Sequence, residues 1–316
     1  MAQHKTYDTT VDRDGREKRI NVIMSVPYGA LSLVAGTPTN GQVAFIQTHS
    51  SNSEPMPLHV RYTYNSIGAT STLRMTIGSD EGMLQTHPPL AHAWKANTRI
   101  SPISGGAIHS DYGDINPPSS AFDILSSPLP PISHDDGELA KVFLTRDIPL
   151  SIRAQLGFGE SNIDLTGLSV TCVYVETGTS KTEIHLHEKN PIPMNGCKIN
   201  AGFGEFAMDG ICFLNSDKFE FSGGVGYYNL NFSGKLPKDM EANVNVGLGR
   251  VSINIPPEAA RVRIIYDDSY FSSFSFSGLS KRKDGTFTSV GFDQSKAPVL
   301  TLKLSSGLGK MVVNYH

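Results

Sequence analysis

Between Ile152 and Tyr315 apolar and polar residues alternate in short runs, and six times two such runs meet at a glycine signal. The signals are Gly157-Phe158-Gly159, Gly178-Thr179-Ser180, Gly202-Phe203-Gly204, Gly224-Val225-Gly226, Gly247-Leu248-Gly249 and Gly307-Leu308-Gly309. Five and three residues before the first Gly stand the apolar pairs Ile152/Ala154, Val173/Val175, Cys197/Ile199, Phe219/Phe221, Ala242/Val244 and Leu302/Leu304. Six and eight residues after it stand Ile163/Leu165, Ile184/Leu186, Met208/Gly210, Leu230/Phe232, Ile253/Ile255 and Val313/Tyr315, where only Gly210 lacks a side chain to pack. The residues between them are polar, apart from the half-polar Tyr174.

Alternation with period two puts successive side chains on opposite faces of a strand, so one face is dry and the other wet. A repeat of roughly 21 to 24 residues describes one small two-strand unit stacked on itself, because such a unit cannot bury its apolar face alone. The pattern predicts an all-β chain. A β-solenoid of about six to seven two-strand rungs is expected over residues ~140–316, preceded by a smaller β domain. In each turn the first Gly is expected to take positive φ, and the second to let backbone pass close to the neighbouring rung. A nucleotide-binding loop would need one privileged copy followed by a helix, whereas these copies recur and are followed by strands.

Residues 1–19 are charged and polar and read as a flexible lead-in. Residues 20–77 form an N-terminal β region. There Val22, Met24 and Val26, then Leu31, Leu33 and Ala35, resemble a degenerate rung, and Gln42–Gln47, Leu58–Asn65 and Ser71–Ile77 read as further strands. Between 78 and 137 the alternation vanishes into a Pro/Gly-rich insertion that holds the single tryptophan, Trp94. Long connections without periodicity are uncommon in compact domains. The solenoid then occupies 138–316.

Among 316 residues, 30 Gly and 19 Pro suit a turn-rich β fold. A formal charge of −3 gives no electrostatic footprint for nucleic acid, and Lys281-Arg282-Lys283 reads as a solvated turn before Asp284-Gly285. No apolar run is long enough to span a membrane, and the start Met1-Ala2-Gln3-His4 is not that of a signal peptide.

The cysteines Cys172, Cys197 and Cys212 match no zinc spacing. A disulfide between neighbouring rungs is conceivable, but Cys172 and Cys197 differ in parity and the bond's geometry is narrow. His185 and His187 lie two apart on one strand face and make a weak metal half-site, with Glu183 or Glu188 as a third ligand; a solvated face is the plainer reading. Asp135-Asp136 and Asp267-Asp268 are adjacent acids whose side chains diverge on extended backbone. Tyr174, Tyr227 and Tyr228 are the outward or turn aromatics able to stack on a ligand such as a sugar ring. No catalytic set assembles and no cofactor is indicated.

The run Leu144-Thr145-Arg146-Asp147-Ile148-Pro149-Leu150-Ser151-Ile152, continued by Leu156-Gly157-Phe158-Gly159 and Asn162-Ile163-Asp164-Leu165-Thr166-Gly167-Leu168, resembles the start of the solenoid in the bacterial toast-rack family. The C-terminal Phe276-Ser277-Gly278-Leu279, Asp284-Gly285-Thr286-Phe287, Leu300–Leu304 and Gly307-Leu308-Gly309 are similar to the last rungs of the cell-wall-active-antibiotic-response domain and of adhesin-like bacterial β-solenoids. The resemblance spans residues 20–77 weakly and 139–316 well. It implies a bacterial envelope or extracellular setting and a non-enzymatic scaffold or binding role, with a protein partner or self-association. The alternative is a carbohydrate-binding or carbohydrate-processing β-helix acting through its outward face. Because the chain ends at Met311–His316 without a charged cap, self-association is expected through that last rung or the insertion.

Overall fold

The structure is a computed structural model that describes residues 5–36, 41–50, 56–78, 139–267 and 271–316. The insertion expected at 78–137 lies, Gly78 apart, outside the described residues. The described chain is all-β save for one 3-10 turn at Ile211–Leu214. Its first part supplies β1 (Lys5–Asp12), β2 (Arg19–Tyr28), β3 (Ala30–Ala35), β4 (Gln42–Ser50), β5 (Leu58–Asn65), β6 (Thr70–Ile77) and β7 (Leu139–Leu144). The repeats form long strands: β8 (Leu150–Asp164), β9 (Val170–His185), β10 (Cys197–Asp209), β11 (Lys218–Asn231) and β12 (Met240–Ile255). The short β13 (Arg261–Tyr266), β14 (Ser272–Ser277), β15 (Leu279–Lys281) and β16 (Phe287–Ser289) follow, and the long β17 (Val299–Tyr315) ends the chain.

The strands β8, β9, β10, β11, β12 and β17 are paired in that order, all parallel and all in the register of the sequence repeat. Val175, Ile199, Phe221, Val244 and Leu304 therefore stand in one column, each opposite the next, and all five are buried. Burying each large apolar side chain contributes about 1.5–3 kcal/mol, which the neighbours share by stacking.

Three expectations about the repeat need correction. The glycine signal is not a turn between two strands, because each long strand runs through it unbroken. It is a bend at which the parity of burial changes: in β8 Ile152, Ala154 and Leu156 are buried before it, and Ser161 and Ile163 after it. Without that reset the second arm would turn its apolar face to water. The positive φ falls on the other glycine than expected, while the second Gly also makes the close approach expected of it, a Cβ at Gly159 standing 2.1 Å from the carbonyl oxygen of Gly29. Positive φ belongs to the second Gly, at 139° in Gly159, 129° in Gly204, 145° in Gly249 and 143° in Gly309. The first Gly is the one that only lacks room: a Cβ at Gly202 would stand 2.6 Å from the carbonyl oxygen of Gly178.

Finally, the chain's last strand is not the exposed end. Although residues 256–298 separate them in sequence, β17 lies directly on β12, and its other edge is covered by β13 and β14, both parallel to it. The hairpin of β15 and β16 then pairs β16 antiparallel to β13. Tyr266, Phe274, Phe276 and Phe287 close this end of the core with half-buried rings, Phe276 and Phe287 having centroids 4.4 Å apart.

At the other end β2 and β3 are parallel to the two arms of β8, and β6 and β7 are parallel to β2 and β3. Antiparallel strands finish both arms, β5 on β6, and β4 on β7 with β1 outside it. The N-terminal strands are thus no separate smaller β domain; residues 1–78 and 133–316 form one compact unit. Nor is the start a flexible lead-in throughout, since Lys5–Asp12 pair residue by residue with β4. Alternation that is mostly polar, as in Lys-Thr-Tyr-Asp-Thr-Thr-Val-Asp, buries only Val11 and so hides an edge strand from hydrophobic patterning.

Candidate binding face

In-register stacking turns each position of the repeat into a column running from strand to strand. On the first arm Arg153, Tyr174, Lys198, Glu220, Asn243 and Lys303 form an outward column. Lys198 pairs with Glu220 at 3.1 Å, and Lys303 with Glu241 at 2.8 Å. On the second arm Asn231, Asn254 and Asn314 form an amide ladder: Asn254 Nδ2 donates to Asn231 Oδ1 at 2.7 Å, and Asn314 Nδ2 to Asn254 Oδ1 at 2.9 Å. Both columns are largely satisfied within the sheet.

The bend carries a different column. The middle residue of each glycine signal stands opposite its neighbour, giving Tyr28, Phe158, Thr179, Phe203, Val225, Leu248 and Leu308 in succession. Tyr28 is 56 %, Phe158 42 %, Phe203 48 % and Leu308 40 % exposed, and the glycines flanking Phe158, Phe203 and Leu308 lie too close to the neighbouring strand's backbone to admit a Cβ. The Tyr28 and Phe158 rings stack in parallel with centroids 5.7 Å apart. An apolar crest one residue wide, at a strand spacing of about 4.8 Å, is a surface of the kind that marks an interaction site. Reading the signals as turns passes over this column, although five of its six middle residues in β8 to β17 are apolar, which a solvated turn does not require.

Beside the crest the second arm has a notch of about 270 Å³. Ala207 stands between Glu183 and Asn229 in its column, and its short side chain forms the floor. The neighbouring column of Lys181, Glu205, Tyr227 and Arg250 forms one wall. The Tyr227 hydroxyl is buried and has no hydrogen-bond partner among the described residues. An aromatic ring flanked by the carboxylates of Glu183 and Glu205, a guanidinium and the Asn229 amide offers a platform plus planar hydrogen-bonding groups, the makings of a polar ligand site.

The residues singled out from sequence do not all converge on one site. Tyr174 lies on the other arm with one ring face covered by Arg153 at 4.7 Å, and its hydroxyl accepts from Asn200 Nδ2 at 3.0 Å. Tyr228 is not outward: it is 3 % exposed, its ring set edge-on to Phe221 at 5.2 Å, and it fills the space over Gly223. It shares parity with Leu230 and Phe232, so it belongs to the core, and that burial pushes its hydroxyl pKa up. Tyr227 and the buried Tyr228 both line the notch, and Tyr174 does not reach it.

His185 and His187 do share a face, their rings stacked at 5.9 Å, and Glu183 approaches His185 at 3.7 Å. Among the described residues no group of three His, Cys, Asp or Glu side chains converges to hold a metal. The three cysteines are free thiols. Burial pushes the Cys197 thiol up, and that of Cys212 to about 12. Among the described residues no helix is long and apolar enough to cross a membrane.

No curated protein matches the chain. A solved structure described as a putative cell adhesion protein from Clostridium sporogenes ATCC 15579 aligns over 99 % of this chain and 100 % of its own, with 13 % identity and a TM-score of 0.40. A family model, the N-terminal domain of toast_rack, matches residues 131–209, which hold β7, β8, β9 and β10. The family resemblance first visible in the run from Leu144 to Leu168 is thereby established: over residues 131–209 this chain is similar to the toast-rack N-terminal domain.

Proposed function

We propose that this chain is a non-enzymatic, adhesin-like scaffold or binding protein of the bacterial cell envelope or exterior. Its bent strands act as successive turns of a β-solenoid, and the outward surface of that stack does the binding, to a protein partner or to further copies of the chain. The observation that carries this reading is the crest. Tyr28, Phe158, Phe203 and Leu308 hold exposed apolar groups at one position of the repeat, where a purely structural bend is served equally well by Ser or Asn. Parallel pairing on both sides of each strand makes the array rigid, so a partner pays little to order it. The test is adhesion of beads coated with the full chain to bacterial cells and to isolated envelopes. The double variant Phe158→Ser, Phe203→Ser should fold normally and lose most of the adhesion; adhesion equal to the parent overturns the reading.

A second reading is supported by the notch at Tyr227. An aromatic face with an unpartnered hydroxyl, beside Glu205, Arg250 and Asn229, suits a polyhydroxylated ligand such as a glycan. Glycan-array binding that disappears in Tyr227→Ala but survives Tyr174→Ala supports it. Loss in both variants alike, or no array signal, counts against it.

A further inference from the structure

The end of the stack at β14 is left open in a particular way. β13 is paired on both edges, to β17 and to β16, whereas β14 is paired among the described residues only to β17. Natural edge strands are usually guarded by charge, proline or brevity. The outermost strands at the other end follow that rule, β1 with exposed Lys5, Asp8 and Asp12 and β5 with exposed Arg61. β14 does not: Ser273, Ser275 and Ser277 are exposed on one face, Phe274 and Phe276 half-buried on the other, and the strand carries no charge and no proline. Behind it the core closes on the half-buried rings of Tyr266, Phe274, Phe276 and Phe287 rather than on a polar cap.

Ser273-Phe274-Ser275-Phe276-Ser277 reads the same in both directions. When such a strand meets a second copy of itself antiparallel, centred on Ser275, Phe274 faces Phe276 of the partner subunit and Ser273 faces Ser277 of the partner subunit. Like side chains then share a face, as pairing of an amphipathic strand requires. The register is self-complementary and closes on a two-fold axis. Continuation to the charged β1 or β5 edge, which would build an open fibre, would set Ser and Phe against Lys5, Asp8 or Arg61.

We infer that β14 is the interface of a closed homodimer formed by edge-to-edge pairing of two copies of this chain. The inference rests on the self-association in the reading above and names its edge. Sedimentation equilibrium of the full chain at tens of micromolar tests it. The parent should be a dimer. Ser275 is exposed and lies on the symmetry axis, so Ser275→Lys and Ser275→Glu should each be folded monomers by circular dichroism, since like charges directly opposite repel. Mixing the two should restore a one-to-one heterodimer. A parent dimer unaffected by either substitution overturns the β14 interface and leaves self-association elsewhere standing. A parent that is monomeric, or that forms open polymers, overturns the closed dimer; a strict monomer removes self-association as well, and the adhesion experiment still decides the crest.

Discussion

At the scale of single residues the molecule rests on which side of a strand a side chain occupies. Val244 and Asn245 are neighbours in β12, one fully buried between Phe221 and Leu304, the other exposed. Val244→Asp places an unpaired carboxylate in the interior, which costs several kcal/mol and should prevent a cooperative melt. Asn245→Asp should change stability by less than about 0.5 kcal/mol. Equal shifts in melting temperature for the two would refute the assignment of faces. The bends are as demanding as the core. Gly204 combines a φ of 129° with the carbonyl oxygen of Ser180 in the place a Cβ would need, so Gly204→Ala meets backbone strain and collision together. We expect a loss above about 2 kcal/mol, read as the urea midpoint, with strand content by circular dichroism retained.

At the scale of elements, the arms of the repeat were legible because alternation is a local signal that stacking reinforces: Cys197/Ile199 and Phe219/Phe221 stand opposite each other as the period requires. What joins the arms was less so. Two alternating runs separated by glycine look the same whether the chain turns between two strands or bends within one, and only the parity change between Leu156 and Ser161 separates them. That parity also places Tyr228 inside, beside Leu230 and Phe232, against its reading as an outward aromatic. The position of β17 was hidden for another reason. Residues 256–298 interrupt the spacing, and sequence does not say that they fold beyond the last repeat instead of between the last two. The candidate binding face was legible only in part, Tyr227 from its type and the crest from its apolar composition, because a column exists only after register is known. Registration itself is testable on the Asn231, Asn254 and Asn314 ladder. Asn254→Ala removes both ladder bonds and a third, exposed one to Asn229 Oδ1 at 3.2 Å, and should cost about 1–2 kcal/mol, whereas Asn243→Ala, whose 3.3 Å bond to Glu241 is exposed, should cost less than about 0.5 kcal/mol. Equal losses in urea denaturation would mean that the ladder contributes nothing to holding the strands in step.

At the scale of the whole molecule, its two ends differ in how they answer to pH. The stack from β8 to β17 is held by apolar columns, and Glu17, between β1 and β2, is the buried carboxylate among the described residues. Burial by itself pushes the Glu17 pKa up. That effect is outweighed by the amides of Glu17 and Gly15, by the Tyr62 hydroxyl donating to Oε1 at 2.9 Å, and by Arg13 at 3.7 Å, so the net value lies below the ordinary one. A carboxylate whose pKa is lowered by folding stabilises the fold fully above the unfolded value, near 4.3, and the contribution disappears as pH falls through the folded value. Acid should therefore loosen the antiparallel end first, where Tyr62 in β5 and the start of β2 meet at Glu17, while the parallel columns persist. Hydrogen exchange at pH 3 should show β1 and β5 losing protection ahead of β10 and β11. Glu17→Gln should lower stability at pH 7 by about 1–3 kcal/mol and flatten the fall below pH 4. An unchanged dependence on pH in that variant would mean that acid acts on the exposed carboxylates instead, and the end held by Glu17 would then open no earlier than the rest.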